Sequence, residues 1–310
     1  MKSVSGMTWK IESIPERLIQ KKIQDLNINY LLSKILLAKK YSSEEIYNSL
    51  NDDQLNNISY HNDDFVNAGK IFLECVKDNK KILIFGDYDV DGYSSTYLLY
   101  DFITNLKLKC DFYIPDRFND GYGPNKNLLN KLISKNNNNL IFFVDCGSNS
   151  SEEINYLEKV GLKTIIIDHH QIYTKNIYKN TTIINPLKNS AKNEFSFFCS
   201  TTLVYFFINY LNKILKKKNK INANKYLFFA AIATICDQMP LRNINKKIVK
   251  LGLKKFNISN FSNFKKILKL KNKISSSDVG FSLGPFLNSS SRLGCPELPI
   301  KLLIETNANN

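Results

Sequence analysis

The chain has 310 residues, of which 43% are hydrophobic and 12% aromatic. This composition supplies enough apolar surface for a sizeable core, which excludes a disordered chain, and the length predicts two domains. Lys and Arg number 43 against 28 Asp and Glu, so the formal net charge is +15. The sequence therefore predicts a folded, basic and soluble protein.

The positive charge is concentrated in the last third of the chain. Residues 1–200 carry 24 basic and 24 acidic side chains, whereas residues 201–310 carry 19 basic and only 4 acidic ones. A segment of this kind favours a polyanion as partner, either nucleic acid or an acidic membrane surface. Codon bias explains why most basic residues are Lys, but it does not explain why acidic residues become rare after position 200.

The cysteines and the apolar stretches indicate in which cellular compartment the protein is expected. The six cysteines include no CxxC pair, so neither a zinc site nor a disulfide framework is indicated, and a reducing cytoplasm is predicted. The first residues lack the apolar core of a signal peptide. Residues 195–212 carry no formal charge, but Ser, Thr and Asn interrupt them, which favours a buried helix over a membrane span.

The order of the predicted elements indicates an α/β fold. Residues 1–78 show helical patterns, including 43–50, where Ser42 and Glu45 have the spacing of a capping box. From Lys81, short apolar runs alternate with helical stretches, which is typical of a parallel sheet flanked by helices on both faces. The runs are 81–85, 110–114, 140–144, 163–167 and 181–185. From about residue 197 the pattern is helical, with Lys-rich connections predicted at 213–220 and 246–255.

Acidic side chains follow several of these apolar segments. Asp87, Asp89 and Asp91 alternate directly after the first run, so they would point to one side while the chain is extended, before a helix opened by Ser94 and Ser95. The third run ends in Asp145, the fourth in Asp168-His169-His170, and a later apolar helix in Asp237. Ligands of open parallel sheets bind at the carboxyl ends of the strands. These residues are therefore predicted to meet at one site.

Carboxylates in such a group repel one another, by about 4 kcal/mol for a pair ~4 Å apart at an effective dielectric constant near 20. A cation would offset that repulsion. Carboxylate and imidazole ligands without thiolates suit Mn²⁺, Mg²⁺ or Zn²⁺. The number of carboxylates indicates two ions about 3.5–4 Å apart, the arrangement that activates water for in-line attack on phosphorus.

Each element also has a structural explanation. A single Asp after a strand is most often a helix cap or turn former, and adjacent histidines are more often a polar pair than metal ligands. The joint pattern favours a site, because four acidic clusters follow apolar segments in the order that one sheet would present them. A dinucleotide site is disfavoured, since the loop after the first run lacks GxGxxG and its aspartates would repel a pyrophosphate.

Six segments resemble a known family. GDYDVDG (86–92), VDCG (144–147), IDHH (167–170) and CDQMPL (236–241) are similar to the four motifs of the DHH phosphoesterase superfamily. PDRFNDGYG (115–123) and LGPFLNSSSRLG (283–294) are similar to segments of its RecJ-like branch, the single-strand-specific 5′→3′ DNA exonucleases. The resemblance covers roughly residues 7 to 304.

The resemblance implies roles for particular residues. The implied metal ligands are Asp89, Asp91, Asp145, His169 and Asp237, with Asp145 bridging two Mn²⁺ or Mg²⁺ ions. Asp87, His170 and Asp145 are the implied catalytic residues, with His170 near a phosphate oxygen. Two of the four arginines, Arg117 and Arg292, fall inside the RecJ-like segments, which favours contacts with substrate phosphate, and Asn288 is a further candidate.

The resemblance also implies a domain plan. A helical N-terminal region (1–78) would precede a DHH catalytic domain (79–245), and a basic helical segment (246–310) would begin the linker to a DHH-associated domain. That domain and an oligonucleotide-binding barrel occur in the family but not in this sequence, so a fragment or a reduced form that binds substrate weakly is expected. The family's Ala-Ala-Gly before the last arginine is Ser289-Ser290-Ser291 here, which is expected to alter the backbone.

The implied function is metal-dependent hydrolysis of single-stranded DNA to 5′-mononucleotides in DNA repair and recombination. The expected protein is a cytoplasmic monomer without membrane contact, and a single-strand-binding protein or a helicase would be its protein partner. Two alternatives stay open at this point. One is another DHH phosphoesterase that cleaves oligoribonucleotides or small nucleotides, and the other is a non-catalytic nucleic-acid-binding module.

Overall fold

The computed structural model describes most of the chain, in segments separated by short gaps. The described residues are 3–10, 13–51, 55, 63–136, 139–173, 178–188, 194–216, 220–258 and 273–308. They form two compact units, Met1–Gln54 and Leu55–Asn310. Residues 259–272, which belong to the predicted basic segment, lie outside the described residues.

The first unit is helical, as predicted. It contains α1 (Glu16–Leu26), α2 (Tyr30–Ala38) and α3 (Ser43–Asn51). The capping box before α3 is confirmed, because the Glu45 N–H donates to Ser42 Oγ at 3.1 Å and the Ser42 N–H donates to Glu45 Oε2 at 2.7 Å. These two bonds satisfy backbone donors that a helix N-terminus otherwise leaves unpaired.

The second unit is built on a five-stranded parallel sheet. Its strands are β1 (Ile82–Phe85), β2 (Cys110–Tyr113), β3 (Leu140–Val144), β4 (Lys163–Ile167) and β5 (Thr181–Ile184), in the spatial order β2-β1-β3-β4-β5. All five predicted runs are strands. The strand order reverses between β1 and β3, and such a switch point opens a crevice at the carboxyl edge of the sheet.

Helices cover both faces of this sheet because alternate apolar side chains of each strand point to opposite faces. Phe142 of β3 packs against Phe72 and Phe207 on one face, whereas its neighbour Phe143 packs against Phe85 on the other. β1 and β3 are fully buried, which explains why their sequences are continuous apolar runs. The predicted α/β class with a flanked parallel sheet is confirmed.

Helices connect and follow the strands. They are α4 (Asp63–Lys77), α5 (Val90–Asn105), α6 (Lys126–Asn136), α7 (Ser151–Lys159), α8 (Ser200–Ile214), α9 (Leu227–Cys236), α10 (Asn243–Ile258), α11 (Gly284–Arg292) and α12 (Leu298–Ala308). A π-helical turn, Val279–Leu283, leads into α11. None of the described helices combines the length and the apolarity that a bilayer crossing requires.

One sequence prediction differs from the structure. The Lys-rich residues 246–255 are not a connection, because they lie inside α10, whose apolar face is buried. The predicted domain boundaries at 78/79 and 245/246 stay predictions. The compact units divide after Gln54, α4 packs on β5 and α8, and position 245 falls within α10.

Candidate active site

The strand register brings the polar residues that follow the strands to one level. Phe85 pairs with Phe143, Val144 with Ile167 and Ile167 with Ile184. The same ladder continues beyond the strands, where the Asp145 N–H donates to Ile167 O at 3.0 Å and the Asp168 N–H to Ile184 O at 3.1 Å. Asp145 and Asp168 therefore lie side by side at the carboxyl edge of the sheet.

The loop after β1 turns into α5 earlier than the sequence predicts. Asp89 is the N-cap of α5, and its side chain accepts from the Gly92 N–H at 3.0 Å. A Cβ at Gly92 would lie 2.3 Å from Asp87 O, so only glycine fits this tight turn. The predicted alternation is therefore wrong for Asp91, which lies in the first helical turn instead of on an extended chain.

Asp91 instead caps a second helix. Its carboxylate oxygens accept from the backbone N–H groups of Ser200 at 2.7 Å and Thr201 at 2.8 Å, the first two residues of α8. A carboxylate is favourable at a helix N-terminus because the helix dipole and the unpaired N–H groups are positive there. Asp91 thus fixes α8 to the site, and the Ser200 hydroxyl donates to Asp145 Oδ1 at 3.0 Å.

Seven side chains meet at this edge, and we call them the strand-end cluster: Asp87, Asp89, Asp91, Asp145, His169, His170 and Asp237. His169 is central, with Nε2 3.3 Å from Asp145 Oδ1, 3.5 Å from Asp237 Oδ2 and 3.7 Å from Asp91 Oδ2. Three subsets of the cluster each place their potential ligand atoms within 4.8 Å of one another. Every residue that the sequence assigned to metal binding therefore lies in one group.

Asp145 combines an unusual backbone conformation with an electrostatic cost. Its φ of 62° lies in the left-handed region, which non-glycine residues seldom adopt and which is common at functional sites. Its carboxyl group is buried, and burial followed by the charges of Asp91 and Asp89 raises its pKa well above the ordinary value. A cation beside Asp145 would relieve this electrostatic cost.

Other carboxyl groups of the cluster show the same effect. Burial and the charge of Asp89 raise the pKa of Asp87 to about 7. Burial and the charge of Asp91 raise the pKa of Asp237 to about 6, although His169 partly opposes this. Asp237 also caps the C-terminus of α9, where the helix dipole disfavours a negative charge. The cluster thus holds protons at a pH where isolated aspartates are ionised.

His170 behaves differently because Asp168 holds it. Asp168 Oδ1 is 2.7 Å from His170 Nδ1, and the other carboxylate oxygen accepts from the Ser148 N–H at 3.1 Å. Burial opposes ionisation of Asp168, but the hydrogen bond and charge of His170 outweigh it and lower its pKa to about 2. The same hydrogen bond raises the pKa of His170 to about 9, so this imidazole is a cation at neutral pH.

The predicted phosphate-binding residues lie outside the cluster. Arg117 is exposed, and its guanidinium lies 5.6 Å from the ring centre of Tyr88, the residue between Asp87 and Asp89. Arg292 is exposed at the end of α11. The two arginine-bearing segments, 115–123 and 283–294, approach each other. A methyl group at Gly294 would lie 3.9 Å from Asp116 Oδ2.

The segment before Arg292 is helical. Ser290 and Ser291 have helical conformations within α11, and their hydroxyls donate to the carbonyls of Leu287 and Asn288. Serine fits this helical backbone, and the expected difference from the family's backbone stays a prediction. Asn288 is half-buried, and its Oδ1 has no hydrogen-bond partner among the described residues. Its assignment to phosphate binding stays a prediction, as do the roles of the other site residues.

Comparison with known proteins agrees with this geometry. Residues 81–234 match the family model described as the N-terminal domain of the DHH family. Residues 81–234 therefore form a domain of the DHH family. The single-stranded-DNA-specific exonuclease RecJ of Bacillus subtilis is 27% identical over 307 residues, which cover 97% of this chain but 38% of that protein. The RecJ of Salmonella typhimurium is 26% identical, over 77% of this chain and 43% of that protein.

Solved structures show the same fold. The RecJ of Thermus thermophilus in complex with Mn²⁺ superposes with a TM-score of 0.74 at 20% identity, over 94% of this chain and 42% of that one. An exonuclease RecJ bound to manganese gives a TM-score of 0.68 at 24% identity, over 79% of this chain and 62% of that one. The chain spans about two-fifths of the length of the RecJ proteins of Bacillus subtilis and Salmonella typhimurium.

Sequence reasoning assigned no role to several residues that organise the DHH site. Ser200 and Thr201 bind the cluster from α8, and their only sequence signal was the interruption of an uncharged stretch by Ser and Thr. Asp168 was recognised within IDHH, but not as the residue that holds His170. Tyr122 lies at the mouth of the site, with its ring centre 6.3 Å from that of His170 and 6.2 Å from that of Tyr88.

Proposed function

We propose that this chain is the catalytic part of a metal-dependent phosphodiesterase, a RecJ-like exonuclease that hydrolyses single-stranded DNA in the 5′→3′ direction to 5′-mononucleotides. The observation that carries the proposal is the strand-end cluster, in which five carboxylates and two imidazoles converge at the switch point of a DHH sheet. The similarity to RecJ proteins supports the same substrate class.

The cluster fits two divalent cations, Mn²⁺ or Mg²⁺. Its ligand atoms are carboxylate oxygens and an imidazole nitrogen, which hard divalent ions accept. Asp89, Asp91, Asp145, His169 and Asp237 are the residues that would hold the ions. The raised pKa values of Asp145 and Asp237 support this fit, because a bound cation would offset the mutual repulsion of the buried carboxylates. Such ions neutralise phosphate charge and activate water.

The remaining residues act on the substrate. His170, kept cationic by Asp168, donates a hydrogen bond to a non-bridging phosphate oxygen and stabilises the charge that develops in the transition state. Asp87, whose carboxyl group is buried beside that of Asp89, is the proposed proton acceptor. Arg117 and Arg292 bind phosphate with their planar guanidinium groups, and Asn288 contributes a further contact to phosphate.

The wider setting follows from this proposal. A 5′-terminal phosphate would be bound between the two arginine-bearing segments, and the strand would continue away from the cluster. We propose that the protein acts in the cytoplasm as a monomer, in DNA repair and recombination, with a single-strand-binding protein or a helicase supplying the strand. The catalytic domain would correspond to residues 79–245, between the N-terminal helices and the basic segment.

Hydrolysis of a 5′-phosphorylated single strand with Mn²⁺, Mg²⁺ or chelator tests the proposal. Asp145→Ala should lower kcat/KM by about 10³-fold or more, because metal-assisted charge stabilisation contributes several kcal/mol. Asp25→Ala, at an exposed carboxylate of α1, is the matched control and should be as active as the wild type. Activity that survives chelation or Asp145→Ala would contradict a two-metal phosphodiesterase.

The same assay separates the alternatives. Faster hydrolysis of a dinucleotide or an oligoribonucleotide than of a long DNA strand would assign the site to another DHH phosphoesterase. Salt-sensitive DNA binding that survives Asp145→Ala, without metal-dependent turnover, would indicate a binding module. The convergence of the cluster favours an enzyme, since a binding module has no need of buried carboxylates that repel one another.

A further inference from the structure

A row of lysines on α10 is the largest feature of the described chain that the proposed active site leaves unexplained. Between Asp237 and Asp278 the sequence has no acidic residue and eleven basic ones. Within this segment Lys246, Lys250 and Lys254 recur every four residues on α10 and are exposed. Residues at this spacing lie on one face of a helix, so we call the three the lysine stripe.

The stripe is a rigid surface because the opposite face of α10 is buried. Ile248 and Phe256 are fully buried, and the Phe256 ring stacks on Phe228 of α9 at 4.9 Å between ring centres. At Gly252 the helices are so close that a Cβ would lie 2.5 Å from the Ala231 Cβ. The lysines therefore project from a helix that is fixed along its length.

The beginning of α10 is tied to the active site. α9, on which α10 packs, ends at Cys236 and is capped by Asp237 of the strand-end cluster. The buried Asn245 donates from Nδ2 to Pro240 O at 3.1 Å and to Phe197 O at 2.6 Å, the latter just before α8. Residues 237–242, which begin with Asp237 of the cluster, connect α9 to α10. The stripe starts about one helical turn after this connection and extends for about 12 Å from Lys246 to Lys254.

We infer that the lysine stripe binds the phosphate backbone of a single-stranded nucleic acid outside the active site. Like charges four residues apart disfavour a helix, and partial burial, followed by the charge of Lys250, lowers the pKa of Lys246. A polyanion bound along the stripe would remove this repulsion. Lysine is a compact charge without preferred pairing geometry, which suits contacts that do not depend on base sequence.

The structure favours nucleic acid over a membrane surface as the occupant. A helix that binds in the membrane interface inserts an apolar face beside its basic one. The apolar face of α10 is buried against α9, so it is not available for insertion. The inference rests on the proposed function for the identity of the strand, but it concerns binding and can be tested without turnover.

The test is the salt dependence of binding to fluorescent single-stranded oligothymidylate in the presence of chelator. For Lys246→Gln/Lys250→Gln/Lys254→Gln, we expect affinity about 10- to 100-fold weaker near 0.1 M salt, and a salt slope smaller by about 2, since each phosphate contact on a single strand contributes about 0.7. Replacing the same three residues with Arg should retain wild-type binding.

The matched control removes three lysines at the opposite edge of the sheet, Lys77, Lys107 and Lys109, which are also exposed. Lys77→Gln/Lys107→Gln/Lys109→Gln changes the net charge equally and should leave affinity close to that of the wild type. Equal losses in both triple variants would overturn the inference, because binding would then follow net charge alone. Loss of binding to phosphatidylserine vesicles but not to DNA would also overturn it, in favour of a membrane surface.

Failure of this inference is distinguishable from failure of the proposed function. If the wild type hydrolyses single-stranded DNA but the stripe variant binds the strand normally, only the stripe is refuted. If the stripe variant loses binding while the wild type never hydrolyses the strand with Mn²⁺ or Mg²⁺, the stripe is supported and the exonuclease activity is refuted.

Discussion

Two concentrations of like charge lie in the second unit, and they differ in their surroundings. The strand-end cluster collects mostly buried carboxylates, and burial raises the pKa values of Asp87, Asp145 and Asp237. The lysine stripe places ammonium groups in solvent, where water and salt reduce their repulsion. The buried group therefore needs a tightly held counter-ion, whereas the exposed group suits a ligand that can slide and dissociate.

The largest expected effect is that of the buried cluster on the stability of the whole protein. The raised pKa values of about 7 for Asp87 and about 6 for Asp237 mean that the folded state binds more protons than the unfolded state above pH 4. The free energy of unfolding of the metal-free protein should therefore fall as pH rises from about 4 to about 7. Mn²⁺ at 100 times its Kd should restore about 2.7 kcal/mol.

Thermal unfolding with and without Mn²⁺ at pH 5 and pH 8 measures this effect. Mn²⁺ should raise Tm by roughly 5 to 10 °C at pH 8 and by much less at pH 5, where protons compete for the same carboxylates. Asp87→Asn should flatten the pH dependence without metal. An equal rise in Tm at both pH values would show that the cluster does not bind the ion.

The next effect concerns Asp168, which hydrogen-bonds His170 and keeps its imidazole charged. Asp168→Asn removes the charge that keeps His170 protonated, so the pKa of His170 should fall from about 9 toward 6.5. Activity should fall about 10- to 100-fold, the usual loss when a supporting carboxylate is removed. Because the chain has only three histidines, NMR titration can follow this imidazole directly.

The half-buried Asp111 on β2 offers the control for this substitution. Asp111 pairs with Lys81 at 2.7 Å and belongs to the edge strand of the sheet. Asp111→Asn should leave the His170 titration and the activity unchanged. If Asp168→Asn also left the pKa of His170 near 9, the hydrogen bond to Asp168 could not be what keeps this imidazole charged.

A smaller effect is expected at Ser200, which links α8 to the cluster. Ser200→Ala removes the hydroxyl that donates to Asp145 Oδ1 at 3.0 Å. We expect Mn²⁺ binding about 10-fold weaker, since residues that orient metal ligands contribute at least that much. Thr202→Ala, in the same helical turn as Ser200, is the control, because the Thr202 hydroxyl contacts Cys199 and Thr234 of α9 and not the cluster. Equal Mn²⁺ affinity in both variants would contradict the role of Ser200.

These three tests also separate what the sequence could predict from what it could not. Asp145, Asp168 and His169 follow continuous apolar strands, and parallel strands must end at one edge, so their convergence was predictable. Ser200 was not, because it reaches Asp91 across 109 residues of chain. The helical position of Asp91 was also missed, since the start of α5 depends on the Asp89 cap and on the close approach of Gly92 to Asp87.

The smallest expected effect tests how the buried cluster is joined to the exposed phosphate-binding residues. The buried Tyr93 of α5 places its hydroxyl 3.5 Å from Ser290 Oγ, in the helix that ends at Arg292. Tyr93→Phe removes this long hydrogen bond, so stability should change by less than about 1 kcal/mol. If the bond orients Arg292, KM for a 5′-phosphorylated strand should rise by about 2- to 3-fold with kcat unchanged, because substrate binding alone is weakened.

Tyr97→Phe, one turn further along α5, is the matched control because the Tyr97 ring packs against Phe229 of α9 instead of α11. It should leave KM unchanged and alter only stability. A similar KM in both variants would show that Arg292 is oriented without Tyr93. A rise in KM only for Tyr93→Phe, and only with a 5′-phosphate, would instead place the cluster and the arginine-bearing helix in one substrate-binding surface, because a purely structural role of Tyr93 would not distinguish the two strand ends.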